Sequence, residues 1–195
     1  MIYYINLDKR LDRKEQIMSE LNKLKPDEIE RVPGVYIEDF GALGCLYSHI
    51  ECLNRFIKSG KPHCIIFEDD FMFKDINCIE TLDTFFNLNI DYDVCMLSIG
   101  CGILENTEYS FLKKVISGQT ASGYIVNKKF AQTLLDNLIE GSELLKNTRN
   151  TFLYMNDQYW KKIQPQNKWY VFSPTLGIQR PSYSDITKQF EEYNA

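Results

Sequence analysis

The sequence predicts an α/β fold: a mostly parallel central sheet flanked by helices, in one domain spanning residues 1–195. Three observations carry this expectation. Short runs rich in β-branched and aromatic residues alternate with longer stretches of helical periodicity, the order that builds strand–helix–strand units. Cys64-Ile65-Ile66-Phe67 and Val94-Cys95-Met96-Leu97 are continuously apolar, as strands covered on both faces are. No repeat, low-complexity tract or linker divides the 195 residues, a length ordinary for one domain with a sizeable core.

Ile2–Leu7 reads as the first strand from its β-branched and aromatic content. It passes through the charged turn Asp8–Lys14 into a helix on which Ile17, Leu21 and Leu24 repeat at i, i+4, i+7, and Pro26 closes it. Arg10 and Arg13 stand at the mouth of that turn, beyond the strand's carboxyl end. A helix dipole disfavours cations near its N-terminus, so this pair asks for an anionic partner. Glu30–Val35 forms a short second strand. Gly41–Cys45 leads into a helix with Leu46, Ile50, Leu53 and Ile57 on one face, ended by Ser59-Gly60-Lys61-Pro62. His49 lies beside that stripe, where a lone histidine is ordinarily a core-edge residue with a satisfied nitrogen. Cys45 and His49 are spaced i, i+4 and Cys52 follows. That spacing could serve half of a zinc site, but no second half with ligand spacing exists in the sequence, so the spacing is not read as a metal centre.

Farther along, Ile79–Leu88 is helical and Asp93–Ile99 is a buried strand. Gln119–Val126 is a strand entered through small residues, among them Gly123, that let a ligand approach the backbone. Asn127 caps a helix carrying Phe130, Leu134, Leu135 and Leu138. Gly141–Asn150 is polar, shows no clear periodicity and reads as a mobile loop. Asn156–Trp160 opens a short helix, with Asp157 placed to cap it beside Asn156. Trp169–Pro174 is a last strand, and Ser184-Asp185 opens a terminal helix.

The strand at Cys64–Phe67 ends abruptly in Glu68-Asp69-Asp70. Alternation along a strand turns Glu68 and Asp70 to one side and Asp69 to the other. Paired carboxylates at a buried strand end repel and need a counter-charge, and a hard divalent cation held by oxygens supplies one. Ligands of open α/β sheets lie beyond the carboxyl ends of the strands. These acids are therefore expected to deliver a metal-holding pair to a crevice; the plainer alternative is an acidic loop.

A net charge of -5 and a pI near 5.2 give no general attraction for nucleic acid or acidic membranes. An anionic ligand must then be met by a metal or a local basic cluster. The six cysteines form no Cys-x-x-Cys pair, and several sit in apolar runs, the usage of free thiols in a reducing compartment. No signal peptide, bilayer-length apolar run or retention signal is visible, so a cytoplasmic location is expected.

Taken in order, Tyr4-Ile5-Asn6-Leu7-Asp8 with Arg10 and Arg13, then Gly44-Cys45-Leu46-Tyr47-Ser48-His49, then Ile66-Phe67-Glu68-Asp69-Asp70 resemble glycosyltransferase family 25. Gly123-Tyr124-Ile125-Val126, Asp157-Gln158 and Ser184-Asp185-Ile186 follow in the family's order, so the resemblance spans nearly the whole chain. That family contains lipooligosaccharide galactosyltransferases and collagen hydroxylysine galactosyltransferases. The resemblance implies a GT-A (Rossmann-like) fold, a UDP-sugar donor (UDP-galactose or UDP-glucose) and inversion at the anomeric carbon. The acceptor would be a glycan, a lipooligosaccharide or hydroxylysine.

The resemblance also puts Glu68-Asp69-Asp70 where GT-A enzymes keep an Asp-x-Asp metal motif, with Glu replacing the first Asp. Glu68 and Asp70 would hold Mn²⁺ or Mg²⁺ against the pyrophosphate. Asn6, Leu7, Arg10, Arg13, Ser48, His49, Asp69 and Gly123 would frame the donor. Asp157 is the candidate base for the acceptor hydroxyl, with Asp185 as the alternative catalytic carboxylate. Two rival readings use the same residues. A metal-dependent phosphohydrolase would need more ligands than these acids and two histidines, His49 and His63, supply. A non-catalytic nucleotide-sugar-binding domain would keep Arg10 and Asp70 without a working base.

Overall fold

The computed structural model describes residues 1–192. The chain begins with β1 (Ile2–Asn6), α1 (Leu11–Leu21), β2 (Ile29–Pro33), α2 (Gly41–Ser59) and β3 (His63–Glu68). There follow β4 (Phe71–Phe73), α3 (Asn77–Asn87), β5 (Val94–Met96), β6 (Gly102–Asn106), β7 (Leu112–Gly118) and β8 (Gly123–Asn127). The last third holds α4 (Lys128–Thr148), α5 (Thr151–Tyr154), α6 (Asn156–Tyr159), β9 (Trp169–Phe172), β10 (Gly177–Gln179), β11 (Ser182–Ser184) and β12 (Gln189–Glu191).

Eight strands form one sheet in the order β2-β1-β3-β8-β5-β9-β7-β6. β1 pairs in parallel with β2 and β3, and β5 with β9. β8 is inserted antiparallel between β3 and β5, and the β6–β7 hairpin extends the far edge antiparallel to β9. Following these pairings, all strands but β7 and β8 run one way, so the sheet is mixed in its pairings and mostly parallel in its direction. Alternation along the buried strands divides the core. Tyr3, Ile5, Cys64 and Ile66 face a layer built from α2 and α4. Ile2, Tyr4, Ile65 and Phe67 face α1 and α3. This is the α/β architecture expected, with helices on both faces. Among the described residues no helix is long and apolar enough to cross a membrane.

Three expectations fail, each for a local reason. Gly141–Asn150 is not a loop, because α4 continues to Thr148 with Gly141, Ser142 and Leu145 buried. Small residues occupy the buried stripe there: a Cβ on Gly141 would come within 2.8 Å of the Tyr159 ring, so the apolar periodicity is hidden where another element packs close. Ser184-Asp185 opens no helix. Ser184 ends β11, which pairs antiparallel with β12 across a turn. Gln119–Ser122 is not strand, because Thr120 adopts φ +98, which a ladder position does not allow.

Candidate active site

β1 and β3 run side by side and end at the same level, with Ile5 opposite Glu68. The chain leaves both strands into turns, so the side chains just beyond them share one crevice. The C-terminal segment returns across it: β10 pairs with β4, and the Arg180 amide donates to the Asp70 carbonyl. The result is a pocket of about 130 Å³. Of the residues expected to form a site, Asn6, Leu7, Arg13, Ser48, Glu68, Asp69, Asp70 and Asp185 line it. Arg10, His49, Gly123 and Asp157 are not part of its wall.

The acids are divided differently from strand alternation. β3 stops at Glu68, and Asp69-Asp70 form a turn, so the two-residue period no longer applies. Asp69 and Asp70 share one protein cation: Arg13 Nη1 donates to Asp69 Oδ1 at 2.9 Å and to Asp70 Oδ2 at 3.5 Å. Arg13 sits in the first turn of α1 yet is buried, which answers the question its position raised. Its Nη2 donates to Ser182 Oγ and to the Tyr183 carbonyl. Asn6 completes the set by donating to Asp69 Oδ2 at 2.8 Å. Burial raises the Asp69 carboxyl even so. Asp70 is pushed up to about 7, first by burial and then by the charges of Glu68 and Asp69. Asp70 Oδ1 is buried without a hydrogen-bond partner among the described residues.

Glu68 turns the other way, toward α2. His49 Nε2 lies 2.9 Å from Glu68 Oε1, and His49 Nδ1 lies 2.9 Å from the Tyr124 hydroxyl. Burial would raise Glu68, but hydrogen bonding and charge from His49 leave it below the ordinary value. A carboxylate can only accept, so Nε2 carries the proton, and in the neutral ring Nδ1 accepts from Tyr124. His49 is buried behind Glu68 and forms no part of the pocket wall, where it was expected among the donor-binding residues; Glu68 and Tyr124 hold its two ring nitrogens instead. Ser48, its neighbour, accepts from the Val35 amide and donates to the Gly44 carbonyl, fixing the loop that forms the pocket's side.

Gly123 does not offer its backbone to a ligand either. A Cβ there would come within 2.7 Å of the Phe71 ring, so the glycine makes room for core packing. Arg10 finds its anionic partners within the chain: Asp12 at 2.8 Å and Asp185 at 2.7 Å. Lys9 also pairs with Asp185 at 2.7 Å. Burial works against the Asp185 charge, but these two cations hold its carboxyl below the ordinary value, the opposite of what a general base needs.

Asp157 does not cap its helix. No side-chain cap bond is formed at the start of α6, and Asp157 Oδ2 instead accepts from the Thr120 amide at 3.1 Å. Its second oxygen has only a long contact, 3.4 Å, with Gln158 Nε2. Burial raises its pKa, and the Thr120 amide offsets part of that rise. Cys45, Tyr124 and Thr120 were missed as site residues. Cys45 Sγ donates to Glu68 Oε1 at 3.6 Å, Tyr124 orients His49, and Thr120 anchors Asp157. Cys45 left a signal in its i, i+4 spacing from His49 and Tyr124 in its place within Gly123-Tyr124-Ile125-Val126; Thr120 left none.

Glycosyltransferase family 25 (LPS biosynthesis protein) matches residues 39–143. No curated protein matches the chain. Among solved structures, a glycosyltransferase involved in the glycosylation of the major capsid of PBCV-1 aligns over 87% of this chain and 79% of that one, with TM-score 0.54 and 12% identity. The glycosyltransferase GlyE of Streptococcus pneumoniae TIGR4 aligns over 87% of this chain and 44% of that one, with TM-score 0.50 and 10% identity. At these identities the likeness is one of fold.

Proposed function

The chain belongs to glycosyltransferase family 25, and from that premise we propose that it moves a hexose, galactose or glucose, from a UDP-sugar to a hydroxyl acceptor with inversion, assisted by a divalent ion. The observation that carries the reading is the unpartnered, buried Asp70 Oδ1 in a pocket at the ends of β1 and β3 whose wall holds four acids, Glu68, Asp69, Asp70 and Asp185. That donor set fits a hard, oxygen-seeking ion, which Asp70 would hold through Oδ1 and Glu68 through Oε2, the oxygen that His49 and Cys45 do not engage. Bound there, Mn²⁺ or Mg²⁺ would neutralise the pyrophosphate and the charge that builds on departing UDP.

The chain's own groups supply the rest. Arg13 keeps Asp69 and Asp70 together without neutralising all of their charge. Asn6 and Ser48 set the pocket wall, and the salt bridge from Arg10 to Asp185 pins the returning segment across it. Asp157, with one oxygen anchored by Thr120 and a raised affinity for protons, takes the acceptor hydroxyl's proton. The family's description favours a lipopolysaccharide-type glycan as acceptor.

Calorimetry with UDP tests the donor site. UDP should bind with Mn²⁺ and lose most of that affinity in EDTA or in Asp70→Ala. Equal affinity with and without the ion would remove the metal from the reading. Release of UDP from UDP-galactose or UDP-glucose on addition of a glycan acceptor tests the transfer itself.

A further inference from the structure

We propose that Cys45, His49 and Glu68 form a second, inhibitory metal site for a thiophilic divalent ion such as Zn²⁺. The spacing of Cys45 and His49 puts both on one face of α2, and the fold brings up Glu68, the last residue of β3, as the ligand their sequence neighbourhood lacks. One ligand atom from each residue lies within 4.8 Å of the other two. Two of the contacts are already close, 3.6 Å from Cys45 Sγ and 2.9 Å from His49 Nε2 to the same Glu68 oxygen. A tetrahedral zinc, with bonds of about 2.0–2.3 Å, holds its ligand atoms roughly 3.3–3.7 Å apart, so the set closes with shifts of about 1 Å.

Three further features suit an ion. Metal-binding histidines are oriented by a partner on the other ring nitrogen, and His49 Nδ1 has the buried Tyr124 hydroxyl at 2.9 Å. Cys45 and Glu68 both line the pocket, so an ion has an entry path and keeps an open position facing solvent. The Cys45 thiol is held protonated by burial and by the negative charges of Glu68 and Asp157, and a dication reverses both objections to the thiolate. On binding, the thiol proton leaves to solvent. The imidazole proton passes from Nε2 to Nδ1 and is donated to the Tyr124 oxygen, so one proton is released per ion bound to the neutral ring.

Softness separates this site from the oxygen site at Asp70. Mn²⁺ and Mg²⁺ prefer carboxylates, whereas Zn²⁺ gains from sulfur and imidazole. Both sites need Glu68, so a thiophilic ion at Cys45 withdraws that ligand from the donor side of the pocket.

Co²⁺ provides a direct reading on the full chain without any nucleotide, so this test fails or succeeds independently of the donor reading. The wild-type protein should bind Co²⁺ stoichiometrically and show a thiolate-to-cobalt charge-transfer band that added Zn²⁺ abolishes. Cys45→Ser should lose the band, and Cys101→Ala, which removes the exposed thiol, should keep it. Tyr124→Phe should weaken Zn²⁺ binding by about 10–100-fold. If Cys45→Ser does not fold, alkylation of the wild type followed by mass mapping replaces it: Zn²⁺ should shield Cys45 and leave Cys101 reactive. No charge-transfer band in the wild type, a band that survives in folded Cys45→Ser, or Cys45 alkylated equally with and without Zn²⁺ would each overturn the proposal.

Discussion

Asp157 is under two opposed demands. As a base it benefits from burial, which raises its pKa, while the folded protein loses stability by holding that charge away from water. Its folded value lies above the ordinary 3.8, so the carboxylate costs stability at pH values above both, and that cost vanishes as pH falls below 3.8. Asp157→Asn keeps an oxygen for the Thr120 amide. It should therefore melt higher than the wild type at pH 7 to 8, with the gain shrinking toward pH 4, while transfer falls by roughly 10²–10⁴ in kcat. Scanning calorimetry across pH and steady-state rates check both halves, and a variant that melts lower at pH 8 with an unchanged rate would make Asp157 purely structural. The three acids at the end of β3 were legible in the sequence because a charged run after an apolar strand is a local signal. Their partition was not, because it depends on Arg13 and His49 arriving from α1 and α2, each on a different face of the sheet.

At the scale of elements, α2 does more than cover the sheet. Gly44 lies so close to the loop after β2 that a Cβ would stand 2.2 Å from the Val35 carbonyl oxygen. That atom is backbone and cannot swing aside. Gly44→Ala should cost about 1–3 kcal/mol of stability or more, as overpacking does. It should also weaken UDP binding, because Val35, Tyr36 and Ile37 form one side of the pocket. Denaturant titration and calorimetry read the two effects, and an alanine variant as stable as wild type would show that the loop yields. α1, α2, β1, β3 and β9 were readable because each shows strong periodicity or a continuous apolar run. The β6–β7 hairpin was not: β6 is exposed along its whole length, so no apolar pattern marks it. α4 was read short because Gly141 and Ser142 interrupt its buried apolar stripe between Leu138 and Leu145; Gly141 packs close to the Tyr159 ring, and neither residue carries a hydrophobic signal.

For the molecule as a whole, Arg13 is the tie between three distant parts of the chain: its own helix, the turn after β3 and the returning C-terminal segment. Arg13→Ala leaves Asp69 and Asp70 facing each other without their shared cation, which should cost about 3–5 kcal/mol. Hydrogen exchange should speed at Ser182–Ser184 more than at β1, and uniform protection in that variant would deny Arg13 its role in holding the segment. The insertion of β8 between β3 and β5 has a consequence for the chain as it is made. β2, β1 and β3 are neighbours in sequence and can assemble as soon as they emerge. The open edge of β3, Cys64–Phe67, must then wait for Gly123–Asn127, and β5 must wait longer for β9. At about 5–20 residues per second, the first wait lasts a few to about ten seconds, with an apolar strand edge unpaired throughout. Fragments ending near residue 110 should bind a hydrophobic dye and aggregate, and fragments reaching past Asn127 should do so less. On this topology, the interval between the synthesis of two strands adjacent in space sets how long the newborn chain carries an unpaired apolar edge.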